Sequence, residues 1–331
     1  MNWFERLTGF REESPQQVRN NITVEGEILR SRINGKVMTC GRLETPSLAE
    51  LRERVEASKP ETGKLSVREV VADVQSLHRD ESNPGALFQV ASQFNLLEMV
   101  SPHRTPEDGI GIYQRDRTQG LACAIAAGAG TIYRNYFVPV NRQIGQSETN
   151  QIDCLADLGT ALGNSQNCLW TMKNGYALAS YRGLMEISNR LQASTENELD
   201  EFRKLLRIGI QWNTQVTLQD CEHKVSQVYS SALPVAYSPQ PALLWEKFAR
   251  LILEASYEAT ICTAILNSRK NGNNKLFLTL LGGGAFGNAT DWIIDGIERA
   301  LNLYQYIDLN VAIVSYGSSK QFVRQLVERF S

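Results

Sequence analysis

Gly282-Gly283-Gly284-Ala285-Phe286-Gly287-Asn288 stands between an apolar run, residues 276–281, and a helical pattern that leads to a second apolar run, residues 311–316. A strand that passes through glycines into a helix start leaves backbone N–H groups without partners, and with the helix dipole they favour an anion, most often a phosphate. Glycine adopts every backbone angle and puts no side chain between the main chain and a ligand. Four glycines within residues 282–287 exceed what a turn requires. Asn288 is expected to cap the helix that follows. Two other glycine patterns fail. No Gly-Lys-Ser/Thr tripeptide is present, so there is no P-loop. Gly282, Gly284 and Gly287 satisfy GxGxxG literally, but so near the C-terminal end that no second mononucleotide half follows them.

Three more segments offer polar chemistry. In Thr118-Gln119-Gly120-Leu121-Ala122-Cys123 a polar loop reaches a glycine and then a small-residue helix, a second candidate N–H cluster. Asp73 closes the apolar run 67–74, where it can accept from an exocyclic base amine or serve as a helix cap. Gln89-Val90-Ala91-Ser92-Gln93-Phe94-Asn95 ends a short strand in amides suited to ribose hydroxyls. Asp116 and Glu98 are the carboxylates nearest these segments, and each reads as a solvated acid unless a site enlists it. Cys123 is a nucleophile by type. Its place at a helix start would lower its pKa, but a buried structural thiol is the better reading.

The elements that must position these residues alternate. Trp3, Phe4, Leu7 and Phe10 mark a short docking helix. Asn34-Gly35 predicts a type I′ hairpin between runs 22–30 and 37–42. Ser47-Leu48-Ala49-Glu50 is a capping box. Strands are predicted at 67–74, 87–91, 208–216, 225–232, 276–281 and 311–316. A helix is predicted over 121–129, and a long one from Leu244 through Cys262. Residues 141–167 read as surface loop, and Asn174-Gly175 as a turn. Strand–helix–strand at 276–316 implies a right-handed parallel crossover. The fold expected is α/β, three layers α/β/α around a central mixed sheet, with an N-terminal hairpin and helix extension.

A net charge of −2 and a pI near 6.0 argue against non-specific nucleic-acid binding. The six cysteines show no CxxC pair and lie away from the three histidines, so no metal is expected. No secretory pattern and no membrane-length apolar run is read, and a cytoplasmic protein with reduced thiols is expected.

The order of the four polar segments resembles the macrodomain superfamily, the ADP-ribose-binding α/β fold. Ala72-Asp73-Val74-Gln75 looks like the family's Gly-Asp-Ile-Thr, whose Asp meets the adenine amine. The 88–95 segment looks like its Val-Asn-Ala-Ala-Asn strand end, whose last Asn, here Asn95, faces the distal ribose. Residues 120–125 look like the first glycine loop, and 281–288 like the second, Ser-Thr-Gly-Ile-Tyr-Gly, with Phe286 at its aromatic. Tyr316 ends the last core strand, where an aromatic can stack on adenine.

The resemblance spans 67–331 with insertions near 140–168 and 218–243, and leaves 1–66 as an extension packed on the core. It implies a ligand set of Asp73, Val74, Gln93, Phe94, Gly120, Leu121, Ala122, Cys123, Gly282, Gly283, Gly284, Ala285, Phe286, Gly287, Asn288 and Tyr316. It implies Asn95, Asp116 and Glu98 as catalytic candidates, no cofactor, and ADP-ribose or an ADP-ribosylated protein as partner. Ala122 stands near the position where hydrolytic members of one branch carry an Asp, and no Gln-Glu-Glu follows. The resemblance therefore supports binding more than catalysis. The leading reading is a protein that binds ADP-ribose or an ADP-ribosyl group, with hydrolysis of ADP-ribosyl linkages on proteins or of a related nucleotide metabolite as its extension; a non-catalytic reader comes second and a dinucleotide oxidoreductase third.

Overall fold

The computed structural model describes residues 1–219 and 221–330. Seven strands form one mixed sheet: β1 (Arg42–Glu44), β2 (Ser66–Val71), β3 (Leu87–Ala91), β4 (Gly209–Gln215), β5 (Lys224–Ser230), β6 (Lys275–Leu278) and β7 (Asn310–Ser315). Their spatial order is β1-β4-β5-β3-β6-β7-β2. The pairs β5–β3, β3–β6, β6–β7 and β7–β2 are parallel, and β4 runs antiparallel to β1 and β5. The central strand β3 buries Leu87, Phe88 and Val90 completely, as a parallel strand covered on both faces must. Its one polar side chain, Gln89, donates to Thr260 Oγ1 at 3.1 Å and accepts from the Thr279 N–H at 3.2 Å.

Among the described residues nine helices flank the sheet: α1 (Leu48–Ser58), α2 (Val74–Arg79), α3 (Gln119–Ala126), α4 (Gly128–Tyr136), α5 (Tyr181–Ala193), α6 (Glu196–Lys204), α7 (Ala242–Asn271), α8 (Thr290–Leu303) and α9 (Gln321–Glu328). The 30-residue α7 packs on α1, α5, α6 and α8, and α9 packs on α8. On the other side α3 packs on α2 and α4, and α4 rests on β4. The chain thus forms the expected α/β architecture, a mixed sheet between helices.

One detail of register shapes the carboxyl ends of the central strands. β3 and β6 pair only through Leu87–Leu276 and Phe88–Phe277, while β7 and β2 stay paired over six residues. Beyond Phe88 the two central strands part. The edge this exposes on β3 is satisfied by a side chain: Gln119 accepts from the Ala91 N–H at 2.9 Å and donates to the Gln89 carbonyl at 2.7 Å. A split between parallel strands at their carboxyl ends is the usual ligand crevice of α/β sheets.

Several local expectations change. The strand expected over 67–74 ends at Val71, because Asp73 caps α2, accepting from the Gln75 N–H at 2.7 Å. The helix expected over 121–129 is two helices with a break at Ala127. The Asn34-Gly35 turn lies in a five-residue loop between Ile28–Ser31 and Val37–Thr39. It is not type I′, since only Gly35 has positive φ. Asn174 and Gly175 do both have positive φ, and join the hairpin Trp170–Lys173 and Tyr176–Ala179. Part of the loop expected at 141–167 is core: Cys154, Leu155, Leu158 and Leu162 are buried, the last two on the helix Ala156–Leu162. Position 220, within the insertion expected at 218–243, lies outside the described residues.

The first forty residues form helices Trp3–Thr8 and Pro15–Asn21 and a three-stranded sheet. They share an apolar core with Leu97, Met99, Ile110, Tyr113, Leu121 and Ile132. Glu12 fastens this segment down. Its carboxylate accepts from the N–H groups of Ile110 (3.1 Å) and Gly111 (2.6 Å) and from the Tyr136 hydroxyl.

Candidate functional site

A cleft of about 960 Å³ opens at the carboxyl ends of the four strands β2, β3, β6 and β7. Ala72 and Asp73 line it after β2, Ala91 and Ser92 at the end of β3, Thr279 to Gly282 after β6, and Val314 and Tyr316 at β7. Gly120, Leu121 and Ala122 of α3 form the facing wall, and Trp3 and Arg6 of the first helix close one end.

The second glycine loop folds on itself. Gly283 N–H donates to the Leu280 carbonyl, Gly287 N–H to Gly284, and Asn288 N–H to Gly282. The N–H groups of Gly284, Ala285 and Phe286 have no acceptor among the described residues, and all three residues line the cleft. Gly282 and Gly287 are glycines for structural reasons. Both have positive φ, and a Cβ would lie 2.4 Å from Ala232 Cβ at Gly282 and 2.8 Å from Ala236 Cβ at Gly287. Asn288 does not cap a helix, because α8 begins two residues later. Its side chain instead donates to the Leu233 carbonyl at 2.8 Å and ties the loop to its neighbour. Gly283, Gly287 and Asn288 do not line the cleft; they shape it from behind.

The first loop supplies the second set of donors. Thr118 makes no side-chain cap, and the first backbone bond of α3 is Ala122 N–H to Thr118 O. The N–H groups of Gln119, Gly120 and Leu121 are therefore free at a helix start that faces the cleft. Gly120 must be glycine here: an added Cβ would sit 1.9 Å from the Ala91 carbonyl oxygen. Arg117, exposed beside this helix start, has no hydrogen-bond or ionic partner among the described residues. Cys123 is buried behind the wall and does not line the cleft. Burial drives its thiol well above the usual range, overriding any helix-start effect.

Asp73 is exposed at the cleft's edge, with Val74 beneath it and Tyr316, 68% exposed, on the rim nearby in the lining. Gln93 lines the cleft, but both ends of its amide are used. It accepts from Met99 N–H at 2.8 Å and donates to the Met99 carbonyl at 3.2 Å. Phe94 and Asn95 do not reach the cleft. Phe94 is core. Asn95 is fully buried, donating to Gln151 Oε1 at 2.8 Å and accepting from Leu97 N–H at 3.1 Å. The assignment of Asn95 to a ribose is thereby corrected: its amide is held inward by Gln151 and Leu97, in a segment that bends at Leu96, with φ +66°.

Glu98, unlike Asn95, reaches the cleft. It is 1% exposed yet lines the cleft floor, against the expectation of a solvated face. Burial pushes its carboxyl up to about 7, opposed by the Arg134 guanidinium 3.3 Å away. Asp116, half-buried at the loop before Gly120, accepts from Thr118 N–H at 2.8 Å and lines the same cleft.

Three further contributors, Tyr176, Tyr237 and Arg134, stand outside the residues expected from the sequence. Tyr176 and Tyr237 meet Phe286 in an aromatic cluster with ring centroids 5.1–5.6 Å apart. Tyr176 donates to the Met99 carbonyl at 2.7 Å. Arg134 is buried to 0% on α4. A tyrosine beside the Asn174-Gly175 turn and an arginine in an apolar helix were the available signals. Among the described residues no cluster of His, Cys, Asp or Glu could hold a metal ion, and no helix is long and apolar enough to cross a membrane.

No family model matches the chain, and no curated protein matches it. Among solved structures it is similar to a poly(ADP-ribose) glycohydrolase from Deinococcus radiodurans in complex with ADP-ribose, with a TM-score of 0.46 and 11% identity over 97% of this chain and 98% of that one. It is also similar to a poly(ADP-ribose) glycohydrolase from Thermomonospora curvata, with a TM-score of 0.45 and 11% identity over 96% of each chain. The same enzyme bound to the inhibitor ADP-HPD gives a TM-score of 0.43 and 11% identity over 95% of each chain. A likeness at this distance assigns no function by itself.

Proposed function

We propose that the cleft binds ADP-ribose or an ADP-ribosyl group. One observation carries this reading: two separate sets of unpartnered N–H groups, at Gln119–Gly120–Leu121 and at Gly284–Ala285–Phe286, line one cleft together with Asp73. Two donor sets suit a diphosphate, and the free guanidinium of Arg117 adds a matching charge. Asp73 offers a carboxylate oxygen to the adenine amine and Tyr316 a face to the ring. The Phe286, Tyr176 and Tyr237 cluster flanks the distal ribose. On this reading residues 67–331 form the binding unit, and the N-terminal extension completes its wall through Trp3 and Arg6.

Glu98 favours a second step, hydrolysis at the distal ribose. Such a reaction passes through an oxocarbenium-like transition state and needs a carboxyl that can hold or release a proton near neutral pH. Glu98 has that property, and Asp116 is the second carboxyl on the cleft. Calorimetric titration with ADP-ribose, NAD and ATP tests binding. The expected result is a preference for ADP-ribose, and no binding at millimolar concentration overturns the reading. Incubation with mono-ADP-ribosylated protein then separates hydrolase from reader, with loss of release in Glu98→Gln assigning the step to that carboxyl.

A further inference from the structure

Behind the cleft floor lies a buried polar chain that ligand binding alone does not require. Arg134, on α4, is 0% exposed and surrounded on every side. Its Nε donates to the Leu96 carbonyl at 3.0 Å, one terminal nitrogen donates to the Tyr229 hydroxyl, and the other faces both Glu98 oxygens at 3.3 and 3.4 Å and Thr131 Oγ1 at 3.2 Å. The guanidinium also lies 3.7 Å from the Tyr229 ring centroid. Tyr229 passes its own proton toward Gln227 Oε1 at 2.6 Å. The Gln227 amide donates to the Cys123 carbonyl at 3.0 Å and meets His78 Nε2 at 3.0 Å. His78 Nδ1 is 2.8 Å from the Val74 carbonyl, which can only accept, so Nδ1 carries the ring proton and Nε2 accepts from Gln227.

This chain isolates one pair of charges. His78 is neutral, its pKa pressed down to about 4 by burial. Tyr113, whose oxygen accepts from Glu98 N–H, and Tyr229 and Cys123 are all pushed up by burial and stay protonated. Tyr113 on the 3₁₀ turn Gly111–Arg115, Cys123 on α3, Arg134 on α4 and Tyr229 on β5 are the titratable groups set around Glu98 among the described residues, and of these Arg134 alone carries charge; Asp116 shares the open cleft with Glu98. A buried arginine with five donors and no freedom to turn acts as a fixed counter-ion.

We propose that Arg134 is the positioning residue of this site: held from behind by Leu96, Thr131 and Tyr229, it presents Glu98 to the cleft and governs whether that carboxyl carries charge. The inference rests on the reading above only in taking Glu98 as the carboxyl that meets the ligand, and its test needs no ligand.

The experiment is a carboxyl-carbon NMR titration of protein labelled at glutamate Cδ. In the wild type one resonance titrates near neutral pH and vanishes in Glu98→Gln, which assigns it. In Arg134→Gln the midpoint rises by about one to three units, the span an opposite charge at contact distance commands. Arg134→Lys restores most of the wild-type midpoint, which a purely volumetric role would not do. Tyr229→Phe keeps the ring under the guanidinium and removes one anchor. It moves the Glu98 midpoint without abolishing folding, and serves if Arg134→Gln fails to fold. An unchanged midpoint in the folded Arg134→Gln protein, or in Tyr229→Phe where that protein is the one that folds, overturns the proposal. A wild-type Glu98 that titrates in the ordinary carboxylate range overturns it too. Failure of ADP-ribose to bind in a separate calorimetric run would instead count against the proposed function and leave this result standing.

Discussion

Replacing Gly284 by glutamate puts a negative charge where a phosphate is proposed to sit. The backbone admits the change. φ at Gly284 is not left-handed, and an added Cβ meets no atom within 4 Å. What the new side chain does meet is the space in front of the free N–H groups of residues 284–286. Two unit charges about 4 Å apart at a protein surface interact by about 4 kcal/mol. That corresponds to a loss of roughly a thousandfold in affinity for a diphosphate. Gly284→Gln carries the same bulk without the charge, so the ratio of the two affinities isolates electrostatics from crowding. Calorimetric titration with ADP-ribose reads both, and a thermal melt of each variant guards against misfolding. At about 1 M salt, where screening acts within roughly 3 Å, the gap between the variants should narrow. A Glu variant that binds ADP-ribose as well as the Gln variant, with an unaltered melt, would show that the phosphates lie elsewhere.

Other substitutions test neighbouring parts of the site. Gly120→Ala forces a methyl to 1.9 Å from the Ala91 carbonyl oxygen and should cost about 1–3 kcal/mol of stability or more, read as a lowered melting temperature, whereas Gly284→Ala should cost little. Glu98→Gln tests burial of a carboxyl. The folded-state pKa is raised from 4.5 to about 7, so the wild type keeps its proton longer when folded than when unfolded. Its stability is full below about 4.5 and falls as pH rises toward 7, by about 3 kcal/mol relative to the non-titrating Gln variant. Urea denaturation of both proteins across that window checks the sign, and a pH-independent difference would contradict the buried-carboxyl account. Tyr316→Ala should weaken ADP-ribose by about 1–3 kcal/mol if adenine stacks there, while leaving ribose 5-phosphate unaffected.

The sequence made the frame legible where period and punctuation agree. The run at 311–316, the alternation at 208–216, the Ser47–Glu50 box and the long pattern of α7 all report local physics, and the chain follows them. Both glycine loops were visible because glycine stands where the backbone turns left-handed or passes close to another chain segment, as at Gly282, Gly287 and Gly120. The polar side chains between them were harder to place. Asn95 and Glu98 lie three residues apart in one loop that bends at the left-handed Leu96, and of the two only Glu98 reaches the cleft. No composition signal encodes that bend. Gln119 read as an ordinary loop residue, yet it serves as a surrogate strand. Arg134 and Tyr229 are far apart in sequence and meet only in the folded core, so nothing in either segment announces the pair. The second N-terminal helix carries a regular start signal in Ser14-Pro15, with Ser14 accepting from Gln17 N–H at 3.2 Å, but it is too short and polar to show a helical period.

The parting of β3 from β6 leaves the cleft framed by strand ends. Its gap is propped by the Gln119 amide, bonded at both ends to main chain. A crevice framed in this way exists before any guest arrives, so little ordering entropy is lost when it fills. Free and occupied forms should therefore superimpose along the strand ends, with adjustment confined to rim side chains such as Tyr316 and Arg117.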